Sequence, residues 1–221
     1  MAYIGKTPTA APLTSSDVTD GIITNAKLAQ DIISADTALG ATPADTDEFL
    51  VSDAGTLKRV DYSYIKASGI EEIDMWRITA NQTNTGLDVL TANWERADTG
   101  SFAKIGTGVS ESSGVFSFPS TGYWLIQSTG YMMATGGART YAGFGLQITP
   151  DNSTYTTELN HYGSVYVDNS YATPNFSFVL RCSDVSNIKI KMFSESGGNC
   201  VTEGSTSMQK TGMIFTKLRG L

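Results

Sequence analysis

One histidine, two cysteines and a charged fraction of 17% leave this 221-residue chain little to do chemistry with. A lone His161 excludes multi-histidine zinc and non-haem iron centres. A serine nucleophile would need that same histidine as its base, and no Gly-x-Ser-x-Gly elbow accompanies it. The neighbouring Tyr162 and Gly163 read as a loop, with His161 in a structural or surface role. Cys182 and Cys200 are too few for a disulfide framework and wrongly spaced for a zinc ribbon. They can pair if adjacent strands bring them together, but isolated cysteines usually act as small buried hydrophobes, and free thiols are expected here. Gly106-Thr107-Gly108 lacks the third glycine and the lysine of a phosphate loop and reads as a hairpin turn.

Positive charge is scarce too. Fifteen Lys and Arg against 22 Asp and Glu give a net charge of −7, with no basic stripe. Binding to phosphate backbones relies on such cations displacing counterions, so nucleic acid and anionic membranes are excluded as partners. The start, Met1 to Lys6, has neither the basic nor the apolar part of a secretory signal. No apolar run approaches the roughly 18 residues that cross a bilayer, so no membrane insertion is expected and the chain reads as soluble and unprocessed. Acidic residues such as Asp88, Glu95, Glu195 and Glu203 read as solvated loop charges. A carboxylate pair for glycoside cleavage has no spacing rule across separate strands, and nothing here singles one out. Asp151-Asn152-Ser153 opens like a calcium loop whose remainder is absent. No catalytic residue, metal or cofactor follows from the sequence, and the chain is expected not to be an enzyme.

What is present divides the chain in two. Residues 1–70 are rich in Thr, Ala, Asp and Ser, with apolar residues singly or in pairs. Such a segment cannot offset about 1–2 kcal/mol of backbone entropy per ordered residue without a partner. Thr24 to Ile33 predicts a short helix capped by Thr24 or Asn25, with Leu28, Ile32 and Ile33 as its apolar stripe. These three, with Ile4, are the anchor and assembly candidates. Asp47 to Val60 predicts a hairpin turning at Asp53-Ala54-Gly55. A linker is placed at Ser68-Gly69.

From Met75 onward, short aromatic and β-branched runs alternate with Gly, Asn, Ser and Thr at intervals of about 8–12 residues, the pattern of an antiparallel sandwich. Strands are predicted near 76–79, 94–96, 115–118, 123–129, 141–148, 164–167, 175–181, 188–193 and 211–218. Phe176, Phe178 and Leu180 face one way and Ser177, Val179 and Arg181 the other. The expected fold class is all-β, an antiparallel jelly-roll sandwich over residues 75–221 behind a partly helical, partly hairpin leading segment. Phe116, Phe118, Tyr123, Phe176, Phe178 and Phe215 are the expected core residues or, if the resemblance drawn below holds, trimer-contact residues. Tyr131 to Tyr141 offers a Gly-rich loop flanked by rings, which makes Tyr131, Arg139 and Tyr141 ligand candidates. A plain connecting loop between sheet tyrosines is the simpler reading.

Two resemblances follow from these residues. Phe116, Pro119, Gly122 and Tyr123, with the Gly212 to Leu218 strand and the Val179 to Phe193 pair, resemble the C1q/TNF-like jelly roll. That resemblance implies a trimer with aromatic residues along the threefold contact. Ile23 to Ala29 and Asp47 to Val60, together with the Met1 to Lys6 start, resemble segments of tailed-phage fibre shafts, especially those of marine phages. This implies a virion protein on the outer surface of tail or capsid, joined to other virion proteins through residues 1–70. It further implies a fibre or knob that contacts a host glycan or receptor. Capsid decoration is the alternative, and a glycan depolymerase a more distant one.

Overall fold

The computed structural model describes residues 14, 37–66, 69–98 and 100–221. The anchor candidates Ile4, Leu28, Ile32 and Ile33, with the predicted helix, lie outside the described residues. The chain divides into two compact units, Met1–Ala67 and Ser68–Leu221.

In the first unit, β1 (Glu48–Asp53) and β2 (Thr56–Asp61) form an antiparallel hairpin, followed by the four-residue helix α1 (Tyr62–Ile65). The two residues between the strands, Ala54 and Gly55, have φ of 48° and 86°. Positive φ at both central positions is what a tight hairpin turn requires, because only that twist matches the flanking strands. The hairpin buries nothing. Leu50 and Leu57 are 74% and 68% exposed, and no described residue of this unit is buried. An isolated two-stranded ribbon is marginal in water, so its backbone bonds alone do not account for its order.

The second unit is all antiparallel strand. In chain order it contains β3 (Ile73–Ile78), β4 (Gln82–Asn84), β5 (Leu87–Val89), β6 (Trp94–Arg96), β7 (Ser110–Ser112), β8 (Val115–Ser117) and β9 (Gly122–Thr129). There follow β10 (Met132–Ala134), β11 (Arg139–Thr149), β12 (Thr156–Val165), β13 (Tyr171–Ala172), β14 (Ser177–Cys182), β15 (Lys189–Ser196), β16 (Cys200–Thr202) and β17 (Gly212–Arg219). One sheet runs β14-β9-β17-β3-β6, a second runs β12-β11-β15-β8-β7 with β5 also on β15, and a small third runs β13-β10-β16-β4.

The core is aromatic. Phe116 of the second sheet meets Phe215 of the first at 5.3 Å between ring centroids, and the edges of Trp76 and Trp94 at 5.7 and 4.9 Å. Phe118 adds contacts to Trp124 and Phe215. Edge-on and tilted pairs of this kind match the ring quadrupoles and add to simple burial. Phe116, Phe118, Phe176 and Phe215 are buried in this cluster, and Phe178 packs half-buried against it. Tyr123 does not enter the core. The period of two gives that inward place to Trp124, and Tyr123 points out under the Arg219 guanidinium, 5.2 Å from its ring. Cys182 and Cys200 are both buried, free thiols.

Three local expectations are corrected. His161 lies within β12, opposite Phe144 of β11, where its Nδ1 sits 2.7 Å from the Asn175 carbonyl. Strand pairing to β11 overrides the loop signal of Tyr162-Gly163. Of the strand placed at 164–167, only 164 and 165 are strand, and they are the tail of β12, which begins at Thr156. Gly106-Thr107-Gly108 turns no hairpin; it is a loop whose Gly108 amide donates to Glu72 Oε2 at 2.8 Å.

Replacing Phe118 with Ala should cost about 3–5 kcal/mol, the range for emptying a buried aromatic site. Urea denaturation of the purified chain measures this, and an unchanged midpoint would mean that the ring is not packed as described.

Candidate functional site

Two kinds of surface stand out on the second unit. The first is the outward face of the β14-β9-β17-β3-β6 sheet. Residues directly opposite one another share a face, and the register aligns Val179, Leu125, Thr216 and Ile73 in one row and Ser177, Gln127, Ile214 and Met75 in the next. Five of these eight are aliphatic or Met. Val179 is 55% exposed, and Leu125, Ile214, Met75 and Ile73 are half-buried. An antiparallel sheet with one face on a core normally alternates to a polar outer face. This one does not. At its end Arg77 is buried, with Nε and Nη2 donating to Glu95 Oε2 at 3.0 and 2.9 Å. On the core side, Asp74 is fully buried and accepts from Arg96 Nε and Trp76 Nε1.

The second kind is a pair of tyrosine and carboxylate clusters. Tyr171 donates to Glu203 Oε1 at 3.0 Å, Lys210 Nζ donates to Glu203 Oε2 at 2.6 Å, and the Tyr131 ring stands against Tyr171 at 6.1 Å. The Lys210 hydrogen bond, offset by burial and helped by Tyr171, holds the Glu203 carboxyl below its usual range. The same bonds raise Lys210 and Tyr171. In the other cluster, Tyr162 donates to Glu195 Oε2 at 2.6 Å, Asn160 Nδ2 bonds the Tyr162 hydroxyl and Glu195, and Tyr141 stands edge-on to Tyr162 at 5.0 Å. Burial first, and then Glu195, push Tyr162 up to about 12.

The ligand candidates therefore separate. Tyr131 precedes β10 and joins the first cluster, while Tyr141 lies inside β11 and joins the second. Arg139 joins neither. Its guanidinium donates to the carbonyls of Thr135, Ala138 and Asn199, so its donors hold neighbouring backbone in place instead of facing a ligand. Glu203 and Glu195 are bonded into clusters and not simply solvated, because the fold brings a tyrosine to each from at least 30 residues away. No local motif marks Tyr162, Tyr171 or Lys210.

Comparisons with known proteins bear on the fold. No protein-family model matches the chain, and no curated protein matches it. A solved structure of Eiger TNF from S. frugiperda is similar over 68% of this chain and 95% of that one, with a TM-score of 0.53 at 13% identity. The strand region is a TNF-like jelly roll. Murine APRIL structures at pH 8.5 and pH 5.0 also align, over 66% of this chain and 98% and 99% of theirs, at 13% identity and TM-scores of 0.48 and 0.49. At such identity the jelly roll is shared architecture, and functional residues do not transfer with it.

The Tyr162 cluster carries a pH signature. An unfolded tyrosine ionises near pH 10, whereas folded Tyr162 holds its proton to about 12. Its contribution to stability is full below pH 10 and is lost as pH rises from there through about 12. Melting curves across that window should fall more steeply for the unmodified chain than for Tyr162→Phe; parallel curves would contradict the cluster.

Proposed function

We propose that this chain is a homotrimeric, non-enzymatic structural protein of a tailed-phage virion, a short fibre or knob that contributes to host attachment. The observation that carries this reading is uncovered apolar surface on both units. The β1–β2 hairpin leaves Phe49, Leu50, Val51 and Leu57 exposed, and the β14-β9-β17-β3-β6 sheet turns a largely aliphatic face outward. Contiguous apolar patches of this kind mark sites where another chain sits. Three copies around one axis cover such faces at the same time and by the same contact, which a closed cyclic assembly requires.

The resemblance of Ile23 to Ala29 and Asp47 to Val60 to fibre-shaft segments supports a phage origin. On this reading the first unit joins the particle through other virion proteins and intertwines with its copies. The jelly roll then presents its remaining surface outward, toward a host receptor. Capsid decoration uses the same trimer and the same anchoring, and differs only in where on the virion the first unit docks.

Sedimentation equilibrium on the full chain at micromolar concentration should give three copies. Val179→Arg places a charge in the middle of the aliphatic row and should release monomers that keep their circular dichroism. A monomeric unmodified chain would sink the trimer. Antibody labelling of intact virions in the electron microscope should decorate the tail; label on the shell would move the protein to capsid decoration, and label on neither would remove the virion assignment.

A further inference from the structure

The cluster around Tyr131 and Tyr171 has a position as well as a composition. Strand β3 enters the jelly roll at Ile73, which pairs with Thr216, and runs to Ile78; β17 runs back from Gly212, which pairs with Arg77 and Thr129. Tyr131, two residues beyond Thr129, therefore lies at the pole opposite chain entry. Its amide donates to Thr211 Oγ1 at 3.2 Å and its carbonyl accepts from the Glu203 amide at 2.9 Å. The Ser205 amide donates to the Ile78 carbonyl, which pins the following segment to the same pole.

The side chains there form a shelf. Tyr131 and Tyr171 are 42% and 49% exposed, and their rings meet at 71°. Glu203 beneath them is nearly covered and bonds Tyr171 through one oxygen and Lys210 through the other. Each polar group is thus ordered before any ligand arrives, which removes part of the entropic cost of binding. Rings of this kind offer a rigid apolar plane at small conformational cost, while an ionised carboxylate and ammonium form the stronger class of hydrogen bonds. A pyranose ring presents the complement, a face of C–H groups bordered by hydroxyls that both donate and accept. Charge narrows the class. Glu203 and Lys210 cancel, and a chain of net charge −7 repels polyanions.

We propose that the Tyr131–Tyr171 shelf, with Glu203 and Lys210, binds a neutral saccharide by ring stacking and hydroxyl hydrogen bonds. This deepens the attachment reading above and rests on it for the source of the saccharide, a host-surface glycan.

The test applies the full chain to a printed array of neutral oligosaccharides of glucose, galactose, mannose and N-acetylglucosamine, with adsorption to host cells measured in parallel. The unmodified chain should bind at least one of them. Tyr131→Ala should weaken that binding about tenfold or more, as loss of a central aromatic contact does, while Tyr162→Phe at the other cluster leaves it unchanged. Should Tyr131→Ala lose the fold, Tyr171→Phe and Lys210→Gln keep the rings and test the hydroxyl contacts. A silent array, or binding undiminished in all shelf variants, overturns the inference. Host adsorption that persists beside a silent array and is abolished by protease treatment of the cells assigns a protein receptor, removing the saccharide and sparing attachment. Array binding without host adsorption does the reverse.

Discussion

Phe116 couples the two sheets. It reaches from a three-residue strand near the edge of one sheet to Phe215 in the middle of the other, with Trp76 and Trp94 closing on it edge-first. Because β8 is so short, its place beside β15 depends on this side chain more than on its few ladder bonds. The order of β15 in turn fixes β11 and the second tyrosine cluster, and the order of β17 fixes the pole that carries the first. A change in the ring cluster would therefore be felt at surfaces that contain no core residue, since packed interiors transmit displacement instead of absorbing it.

The strands legible in the sequence are those in which the period of two coincides with aromatic or branched side chains: Tyr123 to Thr129, Asn175 to Arg181, Ile188 to Phe193 and Thr211 to Leu218. Gln82-Thr83-Asn84 and Ser110-Glu111-Ser112 form ladders without any such pattern, because these short edge strands are held by pairing with their neighbours and not by burial of apolar side chains of their own. β12 escaped for a related reason. Its Thr, Glu, Asn and His side chains lie at the rim of a sheet, and pairing with the long β11 supplies what its composition does not. Tyr123 shows what the pattern leaves open. Next to a tryptophan, either ring can claim the inward position, and only the register decides between them. The candidate site was legible in part, through Tyr131. Glu203 and Lys210 were not, since their contact is made by a chain reversal that no short-range pattern records.

The surface chemistry is divided by sheet. The β14-β9-β17-β3-β6 sheet adds a largely aliphatic outer face to its core face, whereas the β12-β11-β15-β8-β7 sheet carries Tyr162, Asn160, Lys191 and Glu195 on its outer face. In the proposed trimer the first sheet is inside and the second outside. Asp74, fully buried with Arg96 and the Trp76 indole, adds a different constraint. A misregistered β3 would leave that carboxylate without its partners, which is costly in a low-dielectric setting, so the pair favours one register over its neighbours.

The pairing of β3 with β17 has one more consequence. The first and last strands of the jelly roll lie side by side, and Ile73 faces Thr216 across the ladder. A domain whose entry and exit strands are neighbours can be excised or exchanged with little disturbance to what precedes it. Such a domain is a cassette: another jelly roll with the same paired end strands fits the same point of attachment to the preceding chain.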